Sequence, residues 1–167
     1  MLFEFSNQIL AAKLNLEKPT KEFVSSKIVT DSRKISKGDC FLALKGPNFN
    51  GHDFIDEALD RGASFVISEK NHPQDEKILG VNSTHECLSF LAKYQRKKFE
   101  GKVVGITGSN GKTSTKLLLS SLLSDKYDPS QVYVSPGNWN NFYGLCFSLL
   151  ELKKHHKFGI FEIGTND

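Results

Sequence analysis

Gly105-Ile-Thr-Gly-Ser-Asn-Gly-Lys-Thr113 follows the apolar pair Val103-Val104 and leads into a leucine-rich run. A strand, a glycine turn and a helix start in that order make a cradle for phosphate. Backbone N–H groups of the turn and of the first helical turn point at one place, where anionic oxygens are favoured. Gly108, Ser109, Asn110, Gly111, Lys112, Thr113 and Ser114 are therefore the candidate nucleotide contacts. Lys112 adds a full positive charge, and Thr113 supplies a hydroxyl of the kind that ligates Mg²⁺ beside a nucleoside triphosphate. The spacing departs from the general P-loop, since Ile106 stands where its first glycine belongs. It also fails as a dinucleotide fingerprint, because the glycines at 105, 108 and 111 are evenly spaced. ATP is favoured over NAD; the competing interpretation is a glycine-rich turn with a chance lysine.

Three further sets of residues could do chemistry. Thr30-Asp-Ser-Arg33 offers hydroxyls and a forked cation, with an amide from Asn48, and such a set can hold a diphosphate or a sugar. It reads equally well as a surface turn closed by an Asp–Arg ion pair. Pro136-Gly-Asn-Trp-Asn-Asn-Phe-Tyr-Gly144 places three asparagines in four positions. These offer uncharged donors and acceptors to ribose, phosphate or a metal-bound water, or simply form a turn. Glu162 stands near the end of the apolar run Phe158-Gly-Ile-Phe-Glu-Ile163, at the edge where open α/β sheets bind ligands. A carboxylate there can hold Mg²⁺ opposite Thr113, and left unpaired it would be costly to bury.

The elements that must position these residues alternate along the chain. Residues 2–14 read as a short amphipathic helix. Phe23–Val29, Cys40–Leu44, Ser64–Ile67 and Ile78–Val81 read as strands, with helical spacing in 54–59 stopped at Gly62. Residues 84–99 read as a helix with Leu88, Leu91, Ala92 and Tyr94 inside and its basic residues outside. Leu117 to Leu123 make a helix apolar over more than half its circumference, as expected if it covers a parallel sheet, and Asp128-Pro129 breaks it. Val132–Val134 reads as a strand, Leu145–Leu152 as a helix and Phe158–Ile163 as a strand. The fold class is α/β: a small N-terminal α/β domain over residues 1–83, then a mostly parallel P-loop-type domain over 84–167.

At 167 residues, 38% hydrophobic and 25% charged, the chain has the composition of a soluble globular protein. Its apolar runs are too short to span a bilayer and no secretory leader is visible, so the expected compartment is the cytoplasm. A net charge of +3 suits anionic small molecules and does not argue for nucleic acid. Cys40, Cys87 and Cys146 have no metal-ligand spacing and read as reduced core thiols. His52 reads as a helix-start or loop histidine, and His72, His85, His155 and His156 as solvated.

Taken together, these segments resemble the Mur ligase family of peptidoglycan synthesis. The resemblance rests on Thr30-Asp-Ser-Arg33, Gly38-Asp-Cys-Phe-Leu-Ala-Leu-Lys-Gly46, Gly51-His-Asp-Phe54, the phosphate loop, Gly137-Asn-Trp-Asn-Asn141 and Glu162-Ile-Gly-Thr-Asn166. Within the family it points to the members that join D-alanyl-D-alanine to UDP-N-acetylmuramoyl-tripeptide. The resemblance implies an ATP- and Mg²⁺-dependent ligase in cell-wall biogenesis, and through it in cell shape and division, monomeric at full length. The substrate carboxylate would take the γ-phosphoryl group to give an acyl phosphate, and the amine would then displace phosphate. Lys112 and Glu162 would be catalytic, with Thr113 and Glu162 at the metal. By the same analogy Thr30, Ser32 and Pro47-Asn48-Phe49 would hold the UDP end, and Asn140 and Asn141 would lie where nucleotide meets acceptor.

The chain departs from the family at Phe142-Tyr143, where Glu-Ile is usual, and at Cys146, where proline is usual. It stops at Asp167, where the family continues into the rest of its ATPase sheet and a third domain. The expectation is therefore a truncated chain that does not complete ligation and exposes an apolar edge. A noncatalytic module that captures UDP-muramyl peptide or nucleotide is the alternative. The member adding the third amino acid is a weaker one, because Asn140-Asn141 replaces its usual Thr-Thr pair.

Overall fold

The computed structural model describes residues 4–46, 49–70, 75–137 and 139–164. The chain divides into two compact units, residues 3–88 and 89–167.

In the first unit, β1 (Phe5–Ser6) leads into α1 (Asn7–Lys13). The expectation of one helix over 2–14 is thus corrected: Phe5 and Ser6 pair antiparallel with Ser25 and Val24 of β2 (Val24–Ser25). The reason is local. The Ser6 hydroxyl accepts from Ile9 N at 3.1 Å and caps the helix, while the Asn7 side chain accepts from Phe23 N at 2.9 Å and donates to Lys21 O at 3.0 Å. β3 (Ile28–Val29) and β4 (Cys40–Leu42) follow, then the antiparallel pair β5 (Lys45–Gly46) and β6 (Phe49–Asn50). After a 3₁₀ turn over Gly51–Phe54 come α2 (Ile55–Asp60), β7 (Phe65–Ser68) and β8 (Ile78–Gly80). Four strands form a parallel sheet in the order β3-β4-β7-β8, with Cys40 opposite Phe65 and Val66 opposite Ile78. β4 and β7 are buried throughout, as continuous apolar runs in a parallel sheet should be. Val29, Ile35, Phe41, Ala43, Ile55 and Val66 pack the core beneath α2.

α3 (Thr84–Lys98) runs across the division. In the second unit come β9 (Lys102–Ile106), α4 (Lys112–Ser124), β10 (Val132–Val134), α5 (Phe142–Leu150) and β11 (Phe158–Glu162). The three strands are parallel in the order β10-β11-β9, with helical crossovers between them as parallel pairing requires. Phe99, Tyr133, Leu152 and Phe161 make the core of this unit. α4 lies against β10 and β11, but it does not shelter all its leucines. Leu117, Leu118 and Leu122 are 60%, 63% and 59% exposed, and the one fully buried side chain of the helix is Lys116. The expectation that an apolar girdle covers the sheet is corrected to a helix whose inward face is partly polar.

The cysteines are buried, and desolvation pushes the Cys87 thiol up to about 12 and Cys146 to about 11. His156 is half-buried rather than solvated. Its Nδ1 accepts from Lys153 N at 3.0 Å, and burial, then the neighbouring His155 and Lys153, lower its pKa to about 4. His72 lies outside the described residues. No helix among the described residues is long and apolar enough to cross a membrane.

Candidate nucleotide site

Parallel pairing of β9 with β11 sets Phe161 opposite Gly105 and Glu162 opposite Ile106, so the carboxylate stands at the strand end from which the glycine turn departs. Gly111 takes φ +77° as the N-cap of α4, a left-handed conformation that glycine adopts without a Cβ penalty. With no side chain to cap the helix, the first-turn N–H groups are left for an anion. Lys112 folds back, its Nζ donating to Gly108 O at 2.6 Å. Ser109, Asn110 and Ser114 are exposed along the same turn.

The structure brings Thr113 and Glu162 together, the Thr113 hydroxyl donating to Glu162 Oε2 at 2.8 Å. Asn140 Nδ2 donates to Oε1 at 3.1 Å. Two further residues, not singled out from the sequence, complete the cluster. Lys116 Nζ lies 3.3 Å from Glu162 Oε2 and donates to Ser135 O at 3.1 Å and Gly137 O at 2.6 Å. The Ser135 hydroxyl accepts from Glu162 N at 3.1 Å. The side chains of Lys116 and Glu162 are only 2% and 3% exposed. A signal for Lys116 was present: it follows Thr113 by three residues, so the two share a helix face, and that face points at the strand carrying the glutamate. Burial raises the Glu162 pKa, but hydrogen bonds from Thr113, Asn140 and Lys116, with the lysine charge, outweigh it and hold the carboxyl below its ordinary 4.5.

A hydroxyl and a carboxylate are hard oxygen ligands of the kind Mg²⁺ takes, and Thr113 and Glu162 would supply them here. Asn141 acts elsewhere, its Oδ1 accepting from Gly144 N at 2.8 Å to cap α5. Asn138 is outside the described residues.

The expected substrate residues of the first unit are placed differently. Thr30 follows β3 half-buried. Ser32 is buried in a 3₁₀ turn, its hydroxyl donating to Glu57 Oε2 at 2.8 Å. Arg33 makes a side-on pair with Asp31, at 2.8 Å from Nε and 3.0 Å from Nη2, so the ion-paired turn is realised. That pairing keeps the Asp31 carboxyl below its usual range. Phe49, 48% exposed, stacks on Phe54 with ring centres 5.3 Å apart. Pro47 and Asn48 lie outside the described residues. His52 is buried: its Nδ1 meets Asn50 Oδ1 at 2.9 Å and its Nε2 accepts from Glu69 N at 3.0 Å.

Comparison with known proteins gives this geometry a family. The model of the Mur ligase family, catalytic domain, matches residues 25–96, and that of the Mur ligase middle domain matches 106–167. The UDP-N-acetylmuramoyl-tripeptide–D-alanyl-D-alanine ligase of Rickettsia prowazekii is 41% identical over 81% of this chain and 30% of its own length. The ligase of the same name from Haemophilus influenzae is 37% identical over 95% of this chain and 35% of its own length. A MurF crystal structure from Acinetobacter baumannii superposes with TM-score 0.84 at 34% identity, covering 99% of this chain and 37% of that one. The MurF ligase of Thermotoga maritima in complex with ADP gives TM-score 0.76 at 40% identity, over 84% of this chain and 32% of that one. The chain thus spans about a third of the length of the curated relatives it matches. With two models of one family matched in succession and relatives that follow nearly the whole chain, the chain belongs to the Mur ligase family.

Proposed function

We propose that this chain carries the nucleotide site and the UDP-substrate unit of an ATP-dependent ligase that adds D-alanyl-D-alanine to UDP-N-acetylmuramoyl-tripeptide. The observation that carries the reading is the 2.8 Å hydrogen bond from Thr113 to Glu162, which ties the phosphate loop to the strand end where such a ligase needs its metal. The names of the relatives supply the substrates. Gly108 to Ser114 receive the phosphates on backbone N–H groups, and Lys112 exchanges its contact with Gly108 O for a phosphate oxygen. Thr113 and Glu162 would hold Mg²⁺, which would supply charge to offset that of the transferring phosphoryl group. Asn140 holds Glu162 in place from the acceptor side. Thr30, Ser32 and the loop Pro47-Asn48-Phe49 take the UDP end of the substrate. The whole ligase works as a monomer in the cytoplasm, where its product feeds wall synthesis and so cell shape and division.

Isothermal titration with Mg²⁺–ATP and, separately, with UDP-muramyl tripeptide tests both units. The expected result is binding of each ligand, with Lys112→Ala abolishing only the first and Phe49→Ala weakening only the second. A folded chain that binds neither ligand refutes the reading.

A further inference from the structure

We propose that Lys116 is the resident counter-cation of the Glu162 site and makes metal capture there conditional on bound nucleotide. The inference rests on reading the phosphate loop as a nucleotide site, and it assigns a role to a residue which that reading does not use. Lys116 is a positioning residue: its side chain is 2% exposed and its ammonium contacts protein oxygens.

Three contacts fix the charge. Two are backbone carbonyls, Ser135 O at 3.1 Å and Gly137 O at 2.6 Å, which lie at the end of β10 and in the loop beyond it. The third is Glu162 Oε2 at 3.3 Å. The carbonyls anchor the ammonium independently of the glutamate, so the positive charge stays when a second cation approaches. Thr113 Oγ1 and Lys116 Nζ both address the same carboxylate oxygen, the one on which a cation held by Thr113 and Glu162 would draw. Buried like charges a few ångströms apart repel strongly, because little water screens them.

A single carboxylate already neutralised by a lysine offers a divalent cation no net negative charge. Lys112 adds a further positive charge on the neighbouring turn, and its present partner is a neutral carbonyl. A nucleoside triphosphate reverses this balance, since it brings several negative oxygens to the loop. Metal and nucleotide therefore enter together, and each raises the affinity for the other by the same factor. A lysine that served only as a strut between α4 and the 135–137 backbone would leave metal affinity unmoved when exchanged for a neutral donor.

Mn²⁺ titration of the 167-residue chain, read from the free-ion electron paramagnetic resonance signal without nucleotide, separates the two roles. Wild type is expected to bind no tighter than about millimolar. Lys116→Gln keeps N–H donors for the two carbonyls, removes the charge, and is expected to bind at least about tenfold tighter. That gain should vanish in Lys116→Gln with Glu162→Gln. A wild-type chain that takes up Mn²⁺ alone in the micromolar range overturns the proposal, and so does a folded Lys116→Gln chain no tighter than wild type. A second arm needs no variant: a fluorescent non-hydrolysable adenosine triphosphate is titrated into wild type with and without Mn²⁺. At least about tenfold tighter binding with metal is expected, and equal affinities sink the coupling. A wild type that binds no nucleotide under either condition refutes instead the nucleotide reading of the loop, and the Mn²⁺ arm then decides the charge argument by itself.

Discussion

Replacing Glu162 by glutamine keeps the shape of the side chain and removes its charge. Three donors converge on the two carboxylate oxygens, Thr113 at 2.8 Å, Asn140 at 3.1 Å and Lys116 at 3.3 Å. An amide has one acceptor oxygen, so either its NH₂ group faces the Lys116 ammonium or it faces the NH₂ group of Asn140. Neither orientation satisfies all three donors, and the buried ammonium loses its only charged partner among those contacts. Removing one member of a buried ion pair costs roughly 3–5 kcal/mol. The lower end applies here, about 3 kcal/mol, because Thr113 at the rim is exposed and water can reach the edge of the cluster. With a urea slope of roughly 1–3 kcal/mol per molar, the unfolding midpoint of this unit should fall by about 1–3 M. The chain has one tryptophan, Trp139, in the loop that Lys116 and Asn140 hold, so its fluorescence reports this unit alone. Pairing Glu162→Gln with Lys116→Gln, which keeps N–H donors for Ser135 O and Gly137 O, should bring the midpoint most of the way back, since removing both charges costs far less than orphaning one. A midpoint for Glu162→Gln equal to that of wild type, or a double variant no more stable than the single one, would refute the reasoning.

Asn141→Ala removes the cap of α5 and should cost about 1 kcal/mol in the same urea unfolding; an unchanged midpoint would mean the 2.8 Å contact contributes nothing. Gly144→Ala sets two effects against each other. Alanine favours a helix by about 1 kcal/mol, but its Cβ would sit 2.8 Å from Trp139 Cα, a backbone atom that cannot swing aside. Overpacking wins, so a net loss with altered Trp139 emission is expected, and a gain in stability would count against the packing described. His52 gives a pH dependence. Desolvation, partly offset by Glu69, holds its pKa below the ordinary 6.5, and Nε2 must stay unprotonated to accept from Glu69 N. The unfolded imidazole takes up a proton first, so stability of the first unit is full above about pH 6.5 and falls as pH drops through 6.5 toward the lower folded value. Hydrogen exchange of β4 and β7 amides should speed between pH 7 and 5, after correction for intrinsic rates, and a flat corrected profile would contradict it.

The glycine spacing, the preceding apolar pair and the following leucines carried enough local information to place the loop 105–113 between a strand and a helix, and Glu162 at the end of the last strand. What escaped was tertiary. Lys116 shares a helix face with Thr113 in the sequence, but only the packing of α4 on β10 and β11 shows that this face turns inward while Leu117 and Leu118 stay out. Phe5-Ser6 reads as the start of a helix because its apolar period is right. Its pairing with Val24 and Ser25 depends on a segment well removed in sequence. Asn141 and Asn140 look alike in a row of asparagines, yet one caps a helix and the other supports a carboxylate, a difference set by where α5 begins.

The position of β11 has a consequence for how the second unit comes into being. Among the described residues, β9 and β10 do not touch each other in the sheet; each is paired only through β11, the last of the three along the chain. During synthesis the ribosome therefore releases the glycine loop, α4 and α5 before β11, the strand through which β9 and β10 are joined. Long-range parallel pairing of this sort has to close its loops before it gains its hydrogen bonds, which makes its formation slow. The phosphate loop and Glu162 therefore come together only once Phe158 to Glu162 pair with both β9 and β10.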